Sequence, residues 1–271
     1  MLVTWIGHAT TLVQTQGINI LIDPVWAKRD SPVQFAGPER VRKPGVKLRD
    51  LPPIDLVLIS HNHYDHLDMN ALEKIAARDH PAIITALGND TLLAEHGIAA
   101  EAGDWGQSFH FRPGIDVEIT RAHHWSERWY DDRDRALWCG FRITLPSGGD
   151  LYYSGDTGDG KMIWAHQAEQ DARPIRLAIL PIAPYKLTQA QTGNHIDPEG
   201  AVTAFGILHP AWALGVHWGT FELGEEAVND ASKRLAASLA QHAIAADRFR
   251  TLEAGQAWDV PVAAGPPTGR P

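Results

Sequence analysis

Cysteine is almost missing from this sequence, with one residue in 271. The single thiol, Cys139, has no partner for an internal disulfide, so nothing in the chain requires an oxidising compartment. The first residues also lack the basic segment, apolar run and small-residue cleavage site of a secretory signal. We therefore expect a cytoplasmic protein.

Long apolar runs and excess positive charge are missing too. No uninterrupted apolar stretch approaches the roughly 18 residues that span a bilayer, so we expect no transmembrane segment, while peripheral contact with a membrane stays allowed. The 33 acidic side chains outnumber the 24 basic ones, which gives a formal charge of -9. A chain without a continuous cationic surface is not expected to bind nucleic acid. The oligomeric state is left open, with a homodimer among the alternatives.

The composition, 44% hydrophobic and 21% charged, is that of a globular protein with a sizeable core. Period-two alternation and short apolar runs predict strands at residues 3–6, 10–14, 18–22, 56–60, 83–87, 115–120, 137–144, 151–153, 176–180 and 212–216. Helical spacing predicts helices at residues 68–78, 90–96, 160–170, 198–208 and 225–242, with Asp197 as the cap of the fourth.

These elements predict an α/β fold. Strands in two batches, each followed by helices, favour two sheets packed face to face with helices outside. We expect one domain over residues 1–260 and a disordered tail over residues 261–271, where proline and glycine accumulate.

The segment SHNHYDHLD, residues 60–68, carries four metal-binding side chains directly after a predicted strand. His61 and His63 alternate and can bind one ion. Asp65 and His66, displaced by the turn, can reach a second ion close by. Imidazole and carboxylate ligands are typical of a hydrolytic zinc site. A surface histidine cluster is the alternative interpretation.

Three further candidates each follow a predicted strand: His124, Asp156 and His217. Asp156, in YYSGDTG, is flanked by glycines that allow a close approach of the backbone, and its two oxygens can bridge two ions. Because adjacent residues of a strand face opposite ways, only one of His123 and His124 is expected at the metals, and we choose His124. The remaining histidines lack the spacing of metal ligands and are expected to be structural or exposed. Only His8, in WIGHATT, stays a candidate for a role at the site.

The segments SHNHYDHLD, RAHHWSERW, YYSGDTG, HIDPEGAV and GVHWGTF together resemble the metallo-β-lactamase superfamily. The resemblance is to its branch of N-acylphosphatidylethanolamine-hydrolysing phospholipase D, and it runs from about residue 3 to residue 258. It implies an αββα sandwich of two similar halves, two packed mixed sheets with helices on the outer faces and metals at one edge. It also implies two zinc ions held as follows: one by His61, His63 and His124, the other by Asp65, His66 and His217, with Asp156 bridging both. Manganese or iron would suit the same ligand types.

The predicted function is a binuclear-zinc, phospholipase D-like phosphodiesterase that uses a metal-bridging hydroxide on a small or phospholipid-like substrate. Asp65 would hold the hydroxide as well as bind metal. His195, just before a predicted helix, is a candidate contact for the phosphate or leaving oxygen, with Tyr185 assisting; His195 could instead simply begin that helix. A lactonase or amide-bond hydrolase, or a metal-binding protein without turnover, is the alternative.

Three weaker expectations complete the prediction. Asp23 can hydrogen-bond a metal-bound histidine, or simply shape the turn with Pro24. Four aromatic residues would line a cleft for acyl chains or belong to the core: Trp125, Trp129, Tyr130 and Trp138. The residues after Tyr185, beginning Lys186-Leu187-Thr188-Gln189, depart from the family pattern, so the substrate is left open.

Overall fold

The computed structural model describes residues 1–171, 173–186 and 193–262. Within these ranges the strands are β1 (Leu2–Gly7), β2 (Thr10–Thr15), β3 (Ile18–Ile22), β4 (Leu56–Ile59), β5 (Ala82–Ala86), β6 (Glu101–Gly103), β7 (Ser108–Arg112), β8 (Ile115–Thr120), β9 (Gly140–Thr144), β10 (Asp150–Tyr153), β11 (Ile175–Pro181), β12 (Trp212–Val216), β13 (Phe249–Arg250) and β14 (Ala257–Asp259). The α-helices are α1 (Met69–Asp79), α2 (Asn89–Glu95), α3 (Ile163–Glu169), α4 (Pro198–Leu208) and α5 (Asp230–Gln241).

The described strands form two seven-stranded mixed sheets. The first has the order β14-β1-β2-β3-β4-β5-β6, antiparallel as far as β3 and parallel beyond it. The second has the order β13-β12-β11-β10-β9-β8-β7, parallel as far as β10 and antiparallel beyond it. Both sheets therefore combine a block of antiparallel strands with a block of parallel ones.

Helices pack on the outer faces because parallel strands need crossover connections. In β4, Val57 and Ile59 join Leu72 and Ile75 of α1 in one buried apolar cluster. The alternate residues of β4 belong to the larger core that includes both sheets. A strand covered on both faces reads as a continuous apolar run, which is what residues 56–59 are. The predicted αββα sandwich is confirmed.

Helix starts follow the chemistry of capping. The Asp197 side chain accepts a hydrogen bond from the Gly200 backbone amide at 2.8 Å, as predicted. Asp68 caps α1 and also accepts from the Trp26 amide at 2.9 Å. That second contact ties the long loop after β3 to the first helix.

Sequence patterns missed the short strands β6, β7, β13 and β14 and misplaced three starts, one of them that of α3, which begins at Ile163 instead of residue 160. The strand predicted from residue 137 begins at Gly140, because the Leu137 and Cys139 amides donate to Leu87 and Ser60 rather than to a neighbouring strand of the second sheet. Helix α5 begins at Asp230 instead of residue 225. No helix in the described parts of the chain combines the length and apolarity needed to cross a bilayer. The predicted disordered tail lies, from residue 263 onward, outside the described residues.

Candidate metal centre

The predicted ligands lie at the carboxyl ends of strands. Four of them follow β4, and one each follows β8, β10 and β12. Because two antiparallel pairings separate β8 from β10, and β10 to β12 are parallel, these three strands run in one direction and end at one edge. The two sheets thereby bring together side chains that span 157 positions of the chain.

The first group of converging atoms consists of His61, His63 and His124. His61 Nε2 lies 2.8 Å, and His124 Nε2 3.3 Å, from His63 Nδ1. The second group contains Asp65, His66 and His217, with His66 Nε2 3.1 Å from His217 Nε2 and Asp65 Oδ2 3.4 Å from the same atom. The structure thus brings the six side chains together, the first three in one group and the other three, with His8, in a second.

Asp156 lies between the two groups. Its Oδ2 atom is 2.9 Å from His217 Nε2, 3.1 Å from His66 Nε2 and 3.8 Å from His124 Nε2. Gly155 places it there: its backbone has φ of +62°, and a side chain at this position would collide with the Cys139 carbonyl. Glycine is the residue that meets both demands.

Most of the histidine rings are oriented by contacts on their outer side. The Nδ1 atoms of His124 and His217 each lie 2.9 Å from a backbone carbonyl, of Asn194 and Ala183 respectively. A carbonyl only accepts, so Nδ1 carries a proton and Nε2 faces the centre. Such outer contacts fix the tautomer of a metal ligand.

Asp23 performs the same task for His66. It is fully buried, and its Oδ2 atom accepts from His66 Nδ1 at 2.7 Å. The same carboxylate accepts from the Ser60 amide and hydroxyl and from the Tyr153 hydroxyl at 2.6 Å. The predicted contact between Asp23 and a ligand histidine is present, and four donors hold the carboxylate that makes it.

A divalent cation fits these residues. Among the described residues, the buried atoms Asp156 Oδ2 and His63 Nε2 have no hydrogen-bond partner, although buried polar atoms are nearly always paired. The donors are imidazole nitrogens and carboxylate oxygens, the set that zinc, manganese and iron accept. Imidazole nitrogens of neighbouring ligands lie within 3.3 Å of one another, and a shared cation would account for this close approach.

The pKa values divide the histidines. Burial lowers the pKa of His61 and His124 well below 6.5, which favours their neutral, ligand form. Burial also opposes the charge on His217, but the Asp156 carboxylate outweighs it and raises the pKa of His217 to about 9. Burial opposes the charge on Asp156 as well, but His217 and His66 outweigh it and hold the pKa of Asp156 well below its ordinary value. Protons on His66 and His217 therefore sit where a cation would replace them.

His8 is a site residue that the predicted ligand set omitted. It is buried in the turn between β1 and β2, its Nε2 atom lies 2.8 Å from Asp65 Oδ2, and its ring centroid is 3.8 Å from that of His217. The sequence signal was its place in WIGHATT, the setting that had left a role for it open. His123, by contrast, is exposed and lies outside both groups.

A cavity of about 210 Å³ opens above the two groups. Its described lining residues are Asp30, His63, Tyr64, Asp65, Trp125, Glu127, Asp156, Pro184, Asn194, His195 and Leu223. His195 lies within reach of the centre, with Nδ1 3.6 Å from Asp156 Oδ2. Burial lowers the pKa of His195 to about 4, so the ring is neutral at pH 7 and carries one N–H donor.

The structure places the other predicted cleft residues less uniformly. Tyr185 is not among the described lining residues, and its hydroxyl donates to Asp230 at 2.7 Å. Trp125 lines the cavity, whereas the Trp138 indole donates to the Ala122 carbonyl and packs on Trp105. Trp129 and Tyr130 are exposed. Residues 187–189, which depart from the family pattern, lie outside the described residues.

Residues 18–218 match the model of the β-lactamase superfamily domain. The chain is 33% identical over 269 residues to N-acyl-phosphatidylethanolamine-hydrolyzing phospholipase D 1 of Caenorhabditis elegans, covering 94% of this chain and 75% of that one. It is 31% identical over 228 residues to the mitochondrial enzyme of that description from Saccharomyces cerevisiae, covering 82% of this chain and 48% of the yeast protein. The solved structure of Igni18, a metallo hydrolase from Ignicoccus hospitalis, superimposes with a TM-score of 0.70 at 23% identity over 95% of this chain and 97% of that one.

The fold, the gathered histidines and aspartates and these matches agree. The chain belongs to the metallo-β-lactamase superfamily and is a metal-dependent hydrolase of that fold. Within the superfamily its relatives include the N-acylphosphatidylethanolamine-hydrolysing phospholipases D, so the predicted resemblance is confirmed.

Proposed function

We propose that this chain is a binuclear metal phosphodiesterase, with zinc as the metal and a small or phospholipid-like diester as the substrate. The observation that carries the proposal is the position of Asp156 Oδ2 between two groups of imidazole and carboxylate donors, beneath an open cavity. When bound, two metal ions supply hydroxide at neutral pH and neutralise charge on a phosphodiester.

Side chains of the protein would orient the nucleophile and contact the substrate. Asp65 has one carboxylate oxygen fixed by His8, and it faces the centre from the cavity floor. Asp65 would hold the attacking hydroxide by accepting a hydrogen bond from it. His195, neutral and lining the cavity, would donate a hydrogen bond to a phosphate oxygen or to the leaving oxygen. Both roles match those predicted from the sequence.

A phospholipid-like substrate is supported by the loops that border the cavity. The loop that supplies Asp30 also carries Phe35, which is 85% exposed, and the loop that supplies Glu127 carries Tyr130, which is 90% exposed. Both exposed rings belong to loops that also supply lining residues, so they would be available to an apolar surface that approached the cavity. The names of the relatives from worm and yeast agree with a lipid substrate.

Hydrolysis of bis(4-nitrophenyl) phosphate by metal-loaded protein tests the proposal. We expect turnover that a chelator removes and that His124→Ala reduces to the rate of buffer alone. His123→Ala is the matched control, because its ring is exposed and outside both groups, and it should retain the activity. Elemental analysis of the purified protein should give two equivalents of metal. Turnover of lactones with none of the diester would contradict the phosphodiesterase assignment and favour attack on a carbonyl carbon.

A further inference from the structure

His8 contacts the second metal group from behind the cavity. It lies beside Asp65, His66 and His217, is 1% exposed, and is not among the described lining residues. Its Nε2 atom is 2.8 Å from Asp65 Oδ2, whereas Nδ1 is buried without a hydrogen-bond partner in the described parts of the chain. Because an ionised carboxylate only accepts, Nε2 is the donor. A substrate in the cavity would therefore meet Asp65, and His8 would act on it only through Asp65.

The backbone of His8 is tied to the segment that supplies His217. The His8 carbonyl accepts from the His217 amide at 3.0 Å and from the Trp5 indole at 2.7 Å. The His8 amide donates to the hydroxyl oxygen of Thr220 at 2.8 Å. The turn after β1 is thus joined to the loop after β12, although the two strands belong to different sheets.

Ring contacts hold the imidazole of His8 in place. Its centroid lies 3.8 Å from that of His217, and the Phe221 ring lies edge-on to it at 5.0 Å. The Arg40 guanidinium packs 4.4 Å from the centroid of the Phe221 ring and supports it in turn. The position of Nε2 is therefore set by packing as well as by its contact with Asp65.

The turn by itself does not call for a histidine at residue 8. The φ of His8 is +55°, a left-handed value that glycine adopts without steric cost and asparagine adopts more readily than most residues. Either would serve a turn that needed this conformation alone. What histidine adds at this position is a ring nitrogen that reaches Asp65.

We propose that His8 is a positioning residue, which fixes the Asp65 carboxylate and thereby supports metal binding by the second group alone. In the described parts of the chain, the ring of His8 contacts Phe221 and members of the second group, and it contacts no member of the first. The inference rests on the proposed function, because it requires two bound metals. Hydrogen bonds to metal ligands change metal affinity or activity by about 10- to 100-fold when they are lost.

Two amide substitutions test the inference. In His8→Asn the side-chain nitrogen ends near the place of Nδ1 and falls short of Asp65, while asparagine suits the left-handed backbone. In His8→Gln the nitrogen ends near the place of Nε2 and can donate again. Titration of zinc against a chelator of known affinity should show one of the two equivalents weakened by about 10- to 100-fold in His8→Asn and the other unchanged. His8→Gln should recover most of the loss.

Kinetics at saturating metal gives a second readout. The kcat for bis(4-nitrophenyl) phosphate should fall by about tenfold or more in His8→Asn, because Asp65 is no longer held, and return towards the original value in His8→Gln. The KM should stay unchanged in both variants, since His8 is not among the described residues that line the cavity.

His209→Asn is the matched control. His209 also has a left-handed backbone, with φ of +48°, but it is exposed at the end of α4 and belongs to neither metal group. The same substitution there should leave both metal affinities and the rate unchanged.

Unchanged affinity for both equivalents in His8→Asn would overturn the inference. Equal weakening of both equivalents, or a loss that His8→Gln did not recover, would also overturn it, because either result would indicate a structural role of the turn. If the unsubstituted protein bound fewer than two equivalents, the proposed function itself would be contradicted. Titration of the unsubstituted protein therefore distinguishes the two failures.

Discussion

The floor of the cavity is formed by the proposed metal ligands, and its wall by Asp30, Tyr64, Trp125 and Glu127. The two regions differ in how their polar groups are paired. In the floor, the proposed ligands His66, His124 and His217 each have an outer ring nitrogen bound to a buried carboxylate or a backbone carbonyl. In the wall, the carboxylates of Asp30 and Glu127 have no such partner among the described residues. The rings of the floor are therefore fixed by outer contacts, whereas the two wall carboxyl groups are not.

The floor also stores backbone strain that the wall lacks. His8, Asp23 and His217 have φ values of +55°, +41° and +64°, in the left-handed region that residues other than glycine rarely adopt. Strain of this kind persists only where the surroundings impose it, and it accumulates at functional sites. The comparison teaches that substitutions in the floor should cost metal and rate, whereas substitutions in the wall should leave the metal content unchanged.

The largest effect is expected from Asp156→Asn. An amide lacks the charge and the second anionic oxygen with which Asp156 would bridge the groups, so metal content should fall from two equivalents to one or fewer and diester hydrolysis to background. Elemental analysis and the chromogenic assay measure both. Two equivalents retained at full rate would show that Asp156 does not bridge.

A smaller effect is expected from Asp23→Asn, at the residue that supports the His66 ring from its outer side. The loss of the charge that orients His66 should weaken metal binding by about 10- to 100-fold, the range usual for such supporting carboxylates. Competition with a chelator of known affinity measures it, and circular dichroism of the variant controls for misfolding, because Asp23 accepts four hydrogen bonds. Unchanged affinity would make Asp23 a turn residue alone.

Metal binding should release protons from the floor. In the metal-free protein His217, with a pKa of about 9, is protonated at pH 7.5, and a metal ligand must be neutral. Because this pKa lies above the ordinary 6.5, the proton stabilises the metal-free fold fully below pH 6.5, and that stabilisation disappears as pH rises through about 9.

We therefore expect metal affinity to increase with pH up to about 9 and at least about one proton to be released per protein at pH 7.5. Calorimetry in two buffers of different ionisation enthalpy measures the release. Binding without proton release would contradict the protonation of His217.

The smallest effect is expected at the rim of the wall. Replacing Phe35, Trp129 and Tyr130 with serine should reduce hydrolysis of a diester in vesicles several-fold, because each replacement removes exposed apolar surface that would be partly buried in an apolar phase. Hydrolysis of a soluble diester should not change, since none of the three lines the cavity. Equal losses on both substrates would indicate damage to the cavity instead of lost surface contact.

Seven candidate ligands of the floor could be named from the sequence, though not His8, whereas of the wall only Trp125 was named. Residues 60–68 place four chemically specific side chains in one turn after an apolar strand, so local spacing and residue type sufficed. Asp156 carried its own signal in the glycines beside it. Asp30 and Glu127 are ordinary acidic residues in loops without periodicity, and nothing local distinguishes them from solvated charges elsewhere on a chain of 33 acidic residues.

The same distinction holds for the fold. Strands buried on both faces, such as β4 and residues 177–180 of β11, are continuous apolar runs and were predicted. The short strand β14 was missed, because its pairing of Trp258 with Val3 joins opposite ends of the chain and leaves almost no local pattern.

The sequence by itself determined the elements buried on both faces, the types of the metal-binding side chains and their places after strands, because burial and coordination chemistry act on each residue where it stands. Only the tertiary structure decided which nitrogen of each ring faces the centre, how His8 reaches Asp65, and that Asp30 and Glu127 share one cavity wall. Those relations depend on distances between segments far apart in the chain, and such distances exist only once the two sheets have packed.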